Sequence, residues 1–284
     1  MKILILGCSG LIGSTLFRVM FEDPSLEVIG TTRSKNSITK LTETYVNNII
    51  TGVDIVDEQI LLEIIQSKKP NVIINCIGIT KHVDEINNYL GVIKINTTFP
   101  HKLAKLCETF SARLIHISTD CVFSGKGGFY SENDPTDSTD LYGKSKALGE
   151  IVYGENITIR TSTIGHELST NNGLLNWFIK QKVRCKGFGN AIFSGVPTVV
   201  LAQIIRDYIL PRKDLRGLYH IAASPINKYD LLMLIAEIYK KKINIELDRS
   251  FKIDRSLNAA KFNSATGYNP PGWRELIEIM FHYQ

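Results

Sequence analysis

Along the first half of the chain, short unbroken apolar runs alternate with longer segments in which apolar residues recur every three or four positions. Residues 2–6 (KILIL) precede a helical pattern over residues 11–21, with Leu11, Leu16, Val19 and Met20 apolar, and residues 26–31 (LEVIGT) form a second strand pattern. Residues 71–78 (NVIINCIG) and 113–118 (RLIHIS) are further strands. The segments before them predict helices over about residues 57–67, closed by Lys68, Lys69 and Pro70, and about residues 85–110. Strands apolar at every position have no solvent face, so they belong to a parallel sheet covered on both sides by the intervening helices. The pattern predicts an α/β fold, a Rossmann-type doubly wound parallel sheet whose ligands lie beyond the carboxyl ends of its strands.

After about Arg160 the rhythm changes. Gly/Asn-rich loops at residues 165–173 and 187–195 are interspersed with helical patterns over about residues 172–181, 197–209 and 228–240, short strands, and a last helix beginning near PPGWRELIEIM. The expected division is a dinucleotide-binding domain over residues 1–160 and a smaller C-terminal substrate-binding lobe over residues 161–284, with the chain free to cross between them. The sequence shows no internal repeat.

Composition narrows the class. Hydrophobic residues are 44% and charged residues 21%, ordinary for a folded globular chain. The 33 basic and 28 acidic residues give a net +5, but the basic ones are scattered, so nucleic acid is not an expected partner. The balance suits an anionic small molecule or a plain solvated surface. Cys8, Cys76, Cys107, Cys121 and Cys185 lack C-x-x-C spacing and lie mostly in apolar segments, which fits reduced core thiols in the cytoplasm rather than a disulfide frame or zinc site. The six histidines lack H-E-x-x-H spacing, so no metal site is expected. His116 and His220 fit core or edge positions. No apolar run reaches the ~18 residues a bilayer span needs, so no membrane association is expected. The opening lysine and apolar run also have the outline of a secretory signal, which the glycines after it oppose.

Those glycines, Gly7, Gly10 and Gly13, form G-x-x-G-x-x-G between the first strand and the first helix. The first permits a sharp turn, the second lets backbone N–H groups approach a pyrophosphate, and the third lets helix and strand pack closely. With Leu11 and Ile12 opening the helix, the stretch fits a dinucleotide cradle; a purely structural turn is the alternative. The second strand runs into GTTRSKN. An acidic residue there would suit an adenosine ribose, whereas Thr32, Arg33, Ser34 and Lys35 suit a 2′-phosphate. NADPH is therefore the expected cofactor, with NADH the alternative if this is ordinary basic surface.

Tyr142 and Lys146, in LYGKSKALGE, lie four residues apart and share one face of a helix. An ammonium beside a phenol favours its ionised form, making an acid–base group of a side chain whose pKa is ordinarily ~10. Upstream, HISTDCVFSG ends a strand in Ser118, Thr119 and Asp120, where a hydroxyl can bond the same substrate oxygen. Asp120 capping a turn is the competing explanation. Trp177 and Phe178 fit core packing better than a pocket wall, and Lys180, Lys182 and Arg184 fit a solvated surface better than a diphosphate clamp.

Together, the glycine triplet, S-T-D-x-V-F-x-G and Y-G-K-S-K-x-x-G-E resemble the extended short-chain dehydrogenase/reductases. STDCVFSG, FYSENDP and YGKSKALGE most resemble the dTDP-4-dehydrorhamnose reductase branch, as do NCIGITKHVDE, IRTSTIG and SGVPT. The resemblance implies an NAD(P)-dependent oxidoreductase that reduces the 4-keto group of a nucleotide-linked 6-deoxy sugar for surface-polysaccharide synthesis. By the same resemblance Tyr142 protonates the C4 oxygen, Lys146 holds the nicotinamide ribose and lowers the phenol pKa, and Thr119 polarises the keto group. Asp54 and Ile55 would contact adenine, Cys76, Ile77 and Gly78 would flank the cofactor, and Asn96 matches a family asparagine. Asp120 and residues 160–163 would lie near the sugar.

Cys121 and Thr163 stand where the family has aromatics, and CIGITKH brings Lys81 and His82 to the pocket. A UDP-linked 4-keto N-acetylamino sugar is thus as consistent with the residues as a dTDP-linked deoxyhexose. The rivals are an epimerase or dehydratase that keeps NAD bound, and a non-catalytic NADP-binding regulatory subunit. A homodimer is left open.

Overall fold

The structure, a computed structural model, describes residues 1–34, 43–81, 83–168 and 172–283. Of the expected site residues, His82 lies outside them, as does Lys35 of the basic loop. The first half runs β1 (Lys2–Leu6), α1 (Leu11–Phe21), β2 (Glu27–Thr32), α2 (Glu43–Val46), β3 (Ile49–Thr51), α3 (Glu58–Lys68) and β4 (Val72–Asn75). It continues through α4 (Tyr89–Val92), α5 (Phe99–Thr109), β5 (Arg113–Ile117), α6 (Leu141–Leu148) and β6 (Ile157–Arg160). After it come β7 (Thr163–Ile164), α7 (Leu174–Lys180), β8 (Arg184–Phe193), β9 (Val196–Pro197), α8 (Thr198–Ile204) and β10 (Gly217–His220). The chain closes with β11 (Ile226–Asn227), α9 (Lys228–Ile238), β12 (Asn244–Asp254), α10 (Ala260–Thr266) and α11 (Trp273–His282).

Seven strands form one sheet in the order β10-β6-β5-β4-β1-β2-β3, every neighbouring pair parallel. The apolar run of β1 is explained by burial on both faces. Ile3 and Ile5 pack with Phe17 of α1 and with α8, while Leu4 and Leu6 pack with α3 and α5. At 0% exposure all four are core, so the opening stretch is a central strand between β2 and β4.

Residues after 160 do not all leave this sheet. β10 pairs with β6, and α8 lies against α1, where Thr15 and Thr198 share a 3.1 Å hydroxyl bond. Of the remaining strands, β11, β8 and β12 form a three-stranded sheet, whose own core includes Phe178, Leu231, Leu232 and Ile277, and β7 and β9 form a separate pair. A small cluster of Val122, Phe123, Ala222, Leu257 and Ala259 sits between the two parts.

The helix expected over residues 85–110 is broken. A 3-10 turn (Asp84–Asn87) precedes α4, and a π-helical stretch (Ile93–Thr98) joins α4 to α5. Pro100 has no N–H to return to Asn96, so the regular ladder fails there and the wider turn is tolerated. Phe178 is core and Trp177 is 38% exposed, while Lys180, Lys182 and Arg184 face solvent. Among the described residues no helix is long and apolar enough to cross a membrane.

Candidate active site

The glycine turn sits at the carboxyl end of β1. Gly7 has φ +82°, and its N–H and that of Cys8 both donate to Thr31 O, at 3.1 and 3.0 Å. A Cβ on Gly13 would lie 2.2 Å from Gly7 O, so only glycine lets α1 start against the turn. The first turn of α1 has no acidic residue and its Gly10 N-cap supplies no side-chain acceptor, which leaves its N–H groups for an anion. Beside it, a Cβ on Gly7 would meet the Ile77 side chain at 2.8 Å. One on Gly78 would approach Lys146 Nζ at 3.9 Å. Gly7, Cys76–Gly78 and Lys146 are therefore brought together, and the cradle fits a dinucleotide. Gly13→Ala should lower unfolding stability by about 1–3 kcal/mol in urea titrations, because the clash is with backbone.

At the end of β5, Thr119 caps a 3-10 turn (Asp120–Val122), accepting Cys121 N at 3.1 Å while its hydroxyl donates to Asp120 Oδ1 at 3.2 Å. Thr119, not Asp120, is the capping group. The neighbouring Ser118 is committed elsewhere, to Glu150 Oε1 at 2.7 Å. Helix α6, capped by Asp140 on Gly143 N, presses on this turn: a Cβ on Gly143 would sit 2.1 Å from Cys121 O. That approach sets Tyr142 beside Thr119, Cys121 and Asp120, side chains that act on its phenol.

Sequence spacing led us to expect Lys146 to depress the Tyr142 pKa; the structure corrects this. Burial dominates and pushes the phenol up, with the Cys121 thiol and the Asp120 and Asp140 carboxyls adding to it and Thr119 opposing. Lys146 is 4% exposed, and its Nζ donates to Ile117 O at 2.8 Å and lies 3.4 Å from His116 Nε2. Burial draws its own pKa down to about 8, against the pull of Glu150 and Cys76. His116 is fully buried, held by Asn75 Nδ2 on its Nδ1 at 3.1 Å, and burial beside Lys146 keeps it well below its ordinary pKa.

Asn96 clamps the loop after β4 to α6, accepting Ile79 N (2.8 Å) and donating to Ile79 O (2.9 Å) and Ser145 Oγ (3.1 Å). The other expected residues are more dispersed. Arg33 is exposed and lies 3.7 Å from Glu85, and Ser34 is exposed beside it. Asp54 is exposed and closes a turn on Val56 N, while the Ile55 side chain is buried with α3 and α5. Thr163 is half-buried in the β7–β9 pair. Lys81 is exposed, with Nζ 3.9 Å from Cys121 Sγ.

Several residues were not anticipated. Asn75 and His116 form a polar chain behind Lys146, and Glu150 pairs in the core with Arg160. Arg255 reaches Cys121 from the far lobe, its NH1 3.6 Å from Sγ. The only sequence signal was a polar His116 in an apolar strand; the others have none within their own segments.

A glycine cradle at β1 and a Tyr-x-x-x-Lys helix facing Thr119 at the carboxyl edge of a parallel sheet define an extended short-chain dehydrogenase/reductase. More narrowly, the chain belongs to the family described as RmlD substrate binding domain, which matches residues 1–282. It is 26% identical to the dTDP-4-dehydrorhamnose reductase of Aggregatibacter actinomycetemcomitans over 99% of each chain. It is 28% identical to the spore coat polysaccharide biosynthesis protein SpsK of Bacillus subtilis, over 79% of this chain and 74% of that one. The fold matches the crystal structure of dTDP-4-dehydrorhamnose reductase from Bacillus anthracis in complex with NADP, with TM-score 0.82 and 19% identity, covering 100% of this chain and 99% of the other.

Proposed function

We propose that the protein is an NADPH-dependent reductase acting on the 4-keto group of a nucleotide-linked 6-deoxy sugar, in the supply of sugars for a polysaccharide. The observation that carries this reading is Tyr142 set against Thr119 at the sheet's carboxyl edge, with buried Lys146 behind and the glycine turn alongside. The reductase and polysaccharide relatives above support the same substrate class.

NADPH, when bound, would supply the hydride. The N–H groups opening α1 would hold its pyrophosphate, and Arg33 and Ser34 would take the 2′-phosphate. Asp54, Ile55 and Cys76–Gly78 would complete the cofactor side of the pocket. Thr119 turns its hydroxyl from Asp120 to the keto oxygen and polarises it. Tyr142 delivers the proton to that oxygen. A phenol whose pKa burial has raised stays protonated across the neutral range, as a donor must. Lys146, in its protonated form, would position the nicotinamide ribose and offset the phenolate left behind. Asp120, Lys81 and Thr163 would shape the sugar side.

Because the Lys146 amine titrates at about 8, kcat/KM for the reduction should fall as pH rises through that value, where the ammonium is lost. Arginine keeps its charge, so Lys146→Arg should move this limb to higher pH even at reduced rate. A limb at about 8 that survives unchanged in Lys146→Arg would assign it to another group.

The same reading has the protein working in the cytoplasm, where its free cysteines remain reduced, and as a homodimer. Support for the dimer is the exposed apolar residues Tyr89 and Leu90 on α4 and Leu148 on the neighbouring α6, with Val152 four residues further on. The function itself is tested by incubating protein and NADPH with dTDP-, UDP- and GDP-linked 4-keto sugars. Reduced sugar formed with matching NADPH loss supports the reading, and no turnover with any of them refutes it.

A further inference from the structure

Three cations from distant parts of the chain converge beside Thr119. Lys81, on the loop after β4, has Nζ 3.9 Å from Cys121 Sγ. Arg255, directly after β12, has NH1 3.6 Å from the same sulfur, and its Nε donates to Phe123 O at 2.8 Å, which fixes the guanidinium. Lys228, the first residue of α9, is half-buried and interacts electrostatically with Lys81, Asp120, Cys121 and Arg255. Asp120 is the carboxylate that acts on Lys228, and its Oδ1 already takes the Thr119 hydroxyl. The ion pairs of the described residues involve none of these three cations.

We propose that Lys81, Lys228 and Arg255 form an anion-binding subsite of the substrate pocket, taking carboxylate or phosphate oxygens of the nucleotide-linked sugar. The proposal rests on the reductase reading for the identity of the ligand. Its warrant is charge and geometry. Three positive charges meet beside Asp120, and like charges brought together at a partly desolvated place repel one another less when an anion joins them. Ordinary surface lysines would turn to water. Here Lys228 is half-buried and Arg255 is anchored by a backbone carbonyl, so two of the three cations are held beside the exposed Lys81. Cys121 separates Lys81 from Arg255 with a small group that burial keeps as the neutral thiol, its pKa pushed up to about 11. Thr119 accepts Cys121 N, so the subsite adjoins the reacting centre.

Two parts of a sugar nucleotide carry such oxygens: the diphosphate and a carboxylate on the sugar. The test titrates the full-length protein, with NADP⁺ bound, with UDP, dTDP, UDP-glucose and UDP-glucuronate by calorimetry. Lys81→Met, Lys228→Met and Arg255→Met are compared with wild type, with NADP⁺ affinity as the control. Each variant should weaken anion binding about tenfold while NADP⁺ affinity holds. Arg255→Lys guards against misfolding, since it keeps the charge and should retain most of the binding.

Equal weakening of all four ligands assigns the subsite to the diphosphate. Weakening confined to UDP-glucuronate assigns it to a sugar carboxylate. The proposal is overturned if the wild type binds none of the four, or if every Kd stays within about twofold in the Met variants. Unchanged Kd values with 4-keto sugars still reduced would remove the subsite alone. Anion binding without reduction of any 4-keto sugar would remove the reductase reading and leave the subsite.

Discussion

Tyr142→Phe is expected to lower kcat by about two to four orders of magnitude while NADPH affinity stays within about twofold. The substitution removes one oxygen, leaves α6 intact and keeps the ring's packing. What disappears is the proton donor that Thr119 faces, in a pocket where burial holds the proton on the phenol. Binding should survive because the cradle at Gly7, Gly10 and Gly13 lies on a different element. Stopped-flow traces would separate the two. A variant with wild-type kcat would show that the proton comes from elsewhere.

Glu150→Ala is expected to cost about 3–5 kcal/mol of stability, read from urea unfolding. Its carboxylate pairs with Arg160 through two bonds, at 2.8 and 2.7 Å, and accepts the Ser118 hydroxyl. The two side chains are only 5% and 6% exposed, so removing the acid strands a guanidinium that has no water to turn to. Its remaining neighbours, the Phe123 ring at 5.1 Å and His220 Nε2 at 3.4 Å, carry no negative charge. Glu150→Gln keeps the volume and one acceptor and should lose less. Glu150 also raises the Lys146 pKa, so in the Gln variant the high-pH limb of activity should move below about 8.

What the sequence made legible follows from how local each signal is. β1 and α1 fall where the apolar run and the helical spacing put them, because Ile3 to Leu6 are buried on both faces and Gly7 to Gly13 specify the turn within one segment. The Tyr142–Lys146 spacing likewise survives, since α6 is one uninterrupted helix. The direction of the Lys146 amine was not legible: spacing places it on the Tyr142 face, but a carbonyl at the end of β5 claims it. Nor was β10, residues 217–220, whose partner β6 lies 60 positions earlier and whose sequence, GLYH, carries no strand signal of its own. Arg255 and Lys228 were invisible for the same reason. Their approach to Cys121 depends on how the second sheet packs on the first, which no local pattern encodes.

The same locality explains the break at residues 93–98. Apolar spacing runs through the segment, so a single helix is the natural reading, and Pro100 alone signals otherwise. The irregular turn holds Asn96, which ties the loop after β4 to Ser145 of α6. Departure from regular structure here coincides with alignment of the two walls of the pocket.

The central claim is net reduction at C4, as opposed to a cofactor that is reduced and reoxidised in place. NADPH carrying deuterium at the transferable position of its nicotinamide should place one deuterium on C4 of the sugar, with one NADP⁺ formed per sugar reduced. A changed sugar with no net loss of NADPH and no deuterium at C4 would contradict the account and favour an epimerase or dehydratase.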